Sequence, residues 1–256
     1  MTAALALARR WVNDYFNRHD AEAARDFCAP DYVLDIGDVT LAGRDETWLP
    51  AVDRQMRDYP GLTMTVHETL AGEGWAAVWF SEHGARDGAE AVWSGVAIYR
   101  EDEGLLSGCV AQEDYMTRRR QLKEGRGDPV DRPCIAPWDI AAQAPDRRAE
   151  SVVLNWLEGA WPKSASIPCD DEHLTQVHLH FDIERTEVRR LHSSGDRVAF
   201  SVRQHGTYRS GIFGMSAAAD DFLDVNGMLR VADGEVVSGR IIRDRAGLWT
   251  RLMEAR

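Results

Sequence analysis

The sequence predicts an α+β protein built from one small unit used twice in tandem. Three observations carry that expectation. An amphipathic helix opens the chain and gives way to strand patterns in the order of an antiparallel meander. A proline-bearing stretch of low periodicity interrupts the chain near its middle, and the same order of patterns begins again after it. The two halves also align on each other without gaps over their hairpins. The length of 256 residues leaves room for one large domain or two small ones. With 44% hydrophobic and 28% charged residues, the composition is that of a globular chain able to bury a core.

The elements follow in order. Leu5, Ala8, Trp11, Val12, Tyr15 and Phe16 recur at helical spacing, with Arg9, Arg10, Asn13 and Asp14 between them, which marks an amphipathic helix. Asp20 is placed to cap a second, short helix through Phe27, and Pro30-Asp31 breaks it. Tyr32–Ile36 reads as a strand ended by Gly37. Gly43-Arg44-Asp45-Glu46 leads into a helical stretch with Trp48, Leu49, Val52 and Met56 on one face, stopped at Tyr59-Pro60-Gly61. From Leu62 the pattern turns to alternation and β-branching. Strands run over Leu62–Leu70 and Trp75–Phe80 around the Gly72-Glu73-Gly74 turn, then Val92–Arg100, an acidic turn from Glu101 to Gly104, and Leu105 to about Ala111.

Residues 126–147 carry Gly127, Pro129, Pro133, Pro137 and Pro145 and read as a linker. A new amphipathic helix follows from Ala149 to Trp161, ended by Pro162. Placing His83-Gly84 over His205-Gly206, an offset of 122 residues, superposes Thr65–Ala85 on Glu187–Thr207. A later offset of 130 places Gly95–Arg100 over Val225–Arg230, Gly104 over Gly234, and Asp114 with its following helix over Asp244 with the last helix. The expected organisation is therefore a first unit over 1–125, the linker over 126–147 and a second unit over 148–256. The second unit departs near its start, where Ser164–Glu172 is shorter and more polar than the stretch around Trp48–Met56.

Charge and cysteines exclude several classes of function. Thirty Lys and Arg against 42 Asp and Glu give a formal net charge of -12, the wrong sign for nucleic acid or an anionic membrane. Only Lys123 and Lys163 are lysines, and neither lies in an apolar run that would prepare it for Schiff-base chemistry. Cys28, Cys109, Cys134 and Cys169 show no C-x-x-C spacing, so no zinc knuckle or redox motif is expected. The first residues lack a basic leader and an apolar core long enough for a signal peptide, and no apolar run reaches the ~18 residues of a membrane helix. A cytoplasmic protein is expected.

Gly43-Arg44-Asp45-Glu46, Asp58–Leu62, Gly72–Val78, Trp93–Arg100 and Gln121-Leu122 resemble the SnoaL-like polyketide cyclase (ester cyclase) branch of the NTF2-like superfamily. In the second half Gly195–Ala199, His205-Gly206-Thr207, Asp233–Val237 and Gly247-Leu248 are similar to the same pattern. The resemblance implies a cone in each half, a curved antiparallel sheet wrapped on the N-terminal helix around an apolar pocket. It also implies a sheet-to-sheet pairing that the tandem chain supplies internally as a pseudo-dimer, with oligomerisation of the whole chain left open. The activity implied is a cofactor-independent, metal-free aldol closure. In it a pocket carboxylate removes a proton next to a carbonyl of a small hydrophobic molecule.

Asp114 and Asp244 align with the acidic position after the last strand of that family, and each also stands where a helix cap is favoured. Asp35 projects from its strand to the face opposite Leu34 and Ile36. Asp35 and Asp114 are the proposed acid–base residues, with His83 and Tyr15 as donors to a substrate oxygen. Glu68 is expected to share a strand face with Met64, Val66 and Leu70, an apolar setting that raises a carboxyl pKa, with His67 pointing the other way. Trp11, Tyr15, Trp79 and Trp93 are candidates for lining the pocket around a planar substrate, or for core. His178 and His180, with His173, Asp170 and Asp171 nearby, sketch a metal site for which no second ligand cluster exists. Where family members carry a Glu-His-Trp-type run on the last strand, this chain reads Gly108-Cys109-Val110 and Ser238-Gly239-Arg240. A non-catalytic binding or assembly module is therefore the alternative to an enzyme, and an epoxide hydrolase a third reading whose Asp-Arg-Asp arrangement is not found. The second half, with Arg240 and Arg243, is expected to have lost catalysis.

Overall fold

The structure, a computed structural model, describes residues 1–159, 167–172, 178–212, 215 and 218–255. Helix α1 (Ala3–Arg10), capped by the Thr2 hydroxyl, continues into a wider π-helical turn over Trp11–Phe16. Its apolar stripe of Leu5, Ala8, Trp11, Val12, Tyr15 and Phe16 is buried. Asp20 caps α2 (Ala21–Arg25) by accepting the N–H groups of Glu22 and Ala23. Strands β1 (Cys28–Ile36) and β2 (Val39–Ala42) precede α3 (Leu49–Asp58), whose Leu49, Val52 and Met56 face inward. Then come β3 (Thr63–Gly72), β4 (Trp75–Arg86), β5 (Ala89–Asp102), β6 (Leu105–Glu113) and α4 (Tyr115–Glu124).

These strands form one sheet in the order β2-β1-β6-β5-β4-β3. Its meander is antiparallel, but β1 runs parallel to β6, a long-range pairing that hairpin patterning does not reveal. Helix α1 lies across β3 to β6, so an apolar helix stripe and the inner sheet face bury each other. Residues 126–146 carry no strand or helix of three residues or more, and they pack against β3 through Cys134 N–H to the Val66 carbonyl.

The second unit comprises α5 (Arg147–Gly159), β7 (His180–Ser194), β8 (Arg197–Ser210), β9 (Ala219–Ala232), β10 (Glu235–Arg243) and α6 (Arg245–Glu254). Its sheet has the order β10-β9-β8-β7. The strand registers repeat those of the first sheet down to their irregularities. The bulge between Val66 and Glu68 against Phe80 and Trp79 recurs between Val188 and Arg190 against Val202 and Ser201. The bulge opposite Arg100 and Glu101 recurs opposite Arg230 and Val231. The first pair is separated by 122 positions and the second by 130, the two offsets of the sequence alignment. The tight Arg86–Ala89 hairpin becomes the longer Tyr208–Ala219 connection, which accounts for the change of offset. Bulges bend a strand and fix where its faces point, so both sheets curve at equivalent places.

The outer faces of the two sheets pack on each other. Leu70, Trp75, Ala77, Val96 and Ile98 of the first unit form one cluster with Ala199, Met228 and Ile242 of the second. At its centre the Asn226 side-chain amide donates to the carbonyls of Val96 and Val110, at 3.0 Å each. Among the described residues no helix is long and apolar enough to cross a membrane.

Candidate active site

The inner face of the first sheet, α1 and α3 enclose a cavity of about 160 Å³. Its walls are apolar except at one end. There β4 brings in Glu82, after the inward-facing Ala76, Val78 and Phe80, and β6 brings in Glu113, after Cys109 and Ala111. Gly95 makes this possible: a Cβ there would strike the Phe80 ring and come within 3.0 Å of the Glu113 Cγ.

The two carboxyls form a hydrogen-bonded pair. Burial pushes the Glu82 carboxyl well up, the neighbouring Glu113 charge pushes it further, and Gln55 Nε2 donates to its Oε2 at 3.1 Å. Burial also raises Glu113, but Trp93 Nε1 donates to its Oε2 at 2.8 Å, and Tyr115 and Glu82 supply further bonds that favour its charged form. The asymmetry orders the pair: Glu82 is the more strongly raised carboxyl, and Glu113 is the one whose charged form its donors favour. Arg118 is stacked over the rings of Tyr115, Trp93 and Tyr59, at 4.2, 5.0 and 4.9 Å, and its charge acts on both carboxyls. Such a site suits proton transfer to and from a small apolar molecule.

Of the residues singled out in the sequence, Trp11 lines the cavity, and its buried indole N–H finds no acceptor among the described residues. Tyr15 packs edge-on behind it, centroids 5.6 Å apart. Trp93 is fully buried behind Glu113. The others lie elsewhere. Asp35 projects to the opposite face of β1, accepts the Thr40 hydroxyl at 2.7 Å and lines an outer groove with Arg189, Arg190 and Arg203. Glu68 leaves the face of Met64 and Val66, because the bulge at His67 reverses the alternation. It pairs with Arg197 of the second unit. Trp79 joins the contact between the sheets. His83 is half-buried on that same outer side, where burial lowers its pKa.

Asp114 is a structural anion. It caps α4 through the Thr117 N–H at 3.1 Å, accepts the Asp171 N–H at 2.9 Å and binds Arg245 of the second unit with both oxygens. Burial alone would raise its carboxyl, but Arg245 and the backbone donors overrule burial and hold it at about 2. It belongs to a buried lattice in which Arg243 binds Asp170 and Glu172, and Arg240 binds Asp171. Asp244 caps α6 through the Gly247 N–H, and burial pushes it up to about 6. His205 lies 3.4 Å from Glu187. His178 lies on the surface, 3.8 Å from Glu172, and His180 is exposed; His173, Trp161, Pro162 and the stretch 164–166 are outside the described residues. Among the described residues no three His, Cys, Asp or Glu side chains converge as metal ligands.

Alternation contained the signal that points to Glu82 and Glu113: each is a lone charge at the end of an apolar inward series. In the second unit the same offsets put Gln204 where Glu82 stands and Arg243 where Glu113 stands. The buried Gln204 amide finds no partner among the described residues.

Residues 8–108 match the model of the SnoaL-like domain family. Similar solved structures include IdmH from Streptomyces antibioticus, described as a candidate polyketide cyclase, with 20% identity over 46% of this chain and 96% of that one and a TM-score of 0.42. A candidate polyketide cyclase from Bacillus cereus has 15% identity over 48% and 81%, with a TM-score of 0.44. An LEH-like epoxide hydrolase from M. tuberculosis has 14% identity over 48% and 91%, with a TM-score of 0.42. No curated protein matches the chain significantly. Over residues 8–108, within its first unit, this chain is thus similar to the SnoaL-like domain family.

Proposed function

We propose that the first unit is a cofactor-independent acid–base catalyst of the cyclase or isomerase type, acting next to the carbonyl of a small apolar compound. The observation that supports this reading is the Glu82–Glu113 pair at one end of an otherwise apolar cavity. Glu113 removes the α-proton. As Glu113 becomes neutral, the Glu82 O–H loses its anionic acceptor and turns to the developing enolate oxygen, with the Trp11 N–H as a second donor. Water exclusion by Phe80, Tyr99 and Met64 keeps these interactions strong. Return of the proton at a different atom gives isomerisation, and attack of the enolate on a second carbonyl gives ring closure. The second unit, with Gln204 and Arg243 at the equivalent positions, has no acid–base pair there and serves as a structural partner.

The test is α-hydrogen exchange of acetophenone in D2O, followed by proton NMR. Glu113→Gln is expected to lower the enzyme-dependent rate by about 10²–10⁴-fold, while Asp35→Asn leaves it unchanged. Exchange at the wild-type rate in folded Glu113→Gln refutes the assignment.

A further inference from the structure

A cavity of about 160 Å³ admits little more than one ring, since an apolar cavity of roughly 150 Å³ holds a benzene. It does not end blindly. Ile36, Glu113 and Tyr115 line both it and a cleft of about 730 Å³ between the two units. One wall of the cleft comes from the first unit, with Tyr59, Met116 and Leu122. The other is α6 of the second, with Ala246, Trp249 and Thr250.

The charges of this cleft are unevenly committed. Asp38 is bound by Arg251 and lies 3.6 Å from Arg203, and Asp244 accepts the Gly247 N–H. Arg251 also holds Asp221, and Arg86 lies 3.7 Å from Asp87. Glu254 stands at the far end of α6. Arg118 and Arg119 have no carboxylate within ion-pair distance among the described residues. They are held by rings instead, Arg118 over Tyr115 and Arg119 over Trp249 at 4.5 Å. Aromatic stacking fixes a guanidinium while leaving its N–H fork open to a carboxylate.

We propose that the cleft is the second half of the substrate site. It takes an apolar chain ending in a carboxylate, carried by a ketone whose ring-sized head occupies the inner cavity, with Trp249 and Arg119 recognising the chain and its end. This inference rests on the reading of Glu82 and Glu113 as the acid–base pair, and it gives the second unit a part in specificity. The geometry also explains how a cavity of one ring serves a larger molecule: the reacting carbonyl lies at the junction, beside Glu113, with the remainder between the units.

The full-length protein is titrated calorimetrically with acetophenone, with ω-benzoylalkanoic acids of increasing chain length, and with their methyl esters. Affinity is expected to rise by about tenfold or more from acetophenone to the longer acids and to fall back for the esters, as for a charge-assisted hydrogen bond. Trp249→Ala and the exposed Arg119→Gln are expected to erase the gain for the acids while leaving acetophenone binding unchanged. Arg119→Gln keeps the test valid if Trp249→Ala unfolds α6. Equal affinity for acids, esters and acetophenone, or an equal loss for all three in Arg119→Gln, overturns the proposal. Failure of the acid–base reading looks different: the acids keep their advantage, but Glu113→Gln exchanges α-hydrogen as fast as wild type.

Discussion

Asp114→Asn separates a structural carboxylate from a catalytic one. The substitution keeps the side-chain shape and an oxygen able to cap α4, and removes the charge that Arg245 binds. The carboxyl titrates at about 2 in the folded chain against 3.8 when unperturbed. That difference corresponds to about 2 kcal/mol of stability at neutral pH. Arg245 keeps Asp170, Glu172 and the Thr117 hydroxyl as partners among the described residues, and the cost of about 3–5 kcal/mol for removing one partner of a buried pair is the upper bound on the same loss. The expected destabilisation at pH 7 is therefore about 2–5 kcal/mol. The sign with pH follows from the depressed pKa: the contribution is complete above about pH 4 and disappears as pH falls through about 2. Urea unfolding at pH 7 and at pH 3 measures it, and the gap between wild type and variant must narrow at the lower pH. The α-exchange rate per folded molecule must stay near the wild-type value. A variant of wild-type stability that has lost exchange refutes the structural assignment and restores Asp114 as the base.

Trp93→Phe removes the N–H donated to Glu113 and so favours its neutral form; the acidic limb of the pH–rate profile for α-exchange should move to higher pH with its plateau retained, and an unmoved limb argues against Glu113 as base. Asp244 carries a carboxyl raised to about 6, so wild-type stability should decline by about 3 kcal/mol between pH 4 and pH 6. Asp244→Asn, which keeps the cap on α6, should flatten that decline in thermal melts. Asn226→Leu leaves the Val96 and Val110 carbonyls without their donor between the sheets and should cost about 1–3 kcal/mol for each group in urea unfolding, with exchange activity per folded molecule retained.

Much of the fold was legible in the chain because its signals are local. Helical spacing placed α1, the caps Asp20 and Asp114 marked helix starts, and glycine turns delimited the hairpins. The self-alignment found both offsets that the strand registers reproduce, bulges included. The parallel pairing of β1 with β6 was not visible, because it joins segments more than 70 residues apart, whereas the short β2 pairs locally with β1 and escaped notice because four residues carry too little alternation to mark a strand. The two cavity carboxyls each lie one residue from a position singled out in the sequence. Asp114 looked acidic and well placed, but Glu113 beside it points inward, and a single step along a strand reverses the face. His83 faces the outer side of the sheet, while its neighbour Glu82 lines the cavity. Glu68 was misplaced by a bulge, which no count of alternation anticipates without the partner strand.

The central claim is that Glu82 and Glu113 share one proton at neutral pH, and carbon-detected NMR of protein labelled at the glutamate side-chain carboxyl tests it without any substrate. The two buried carboxyls should titrate in separate steps above the ordinary glutamate range, Glu82 last, and Glu113→Gln, which removes the charge that raises Glu82, should bring Glu82 back toward that range. Two carboxyls that ionise together with the surface glutamates would contradict the account.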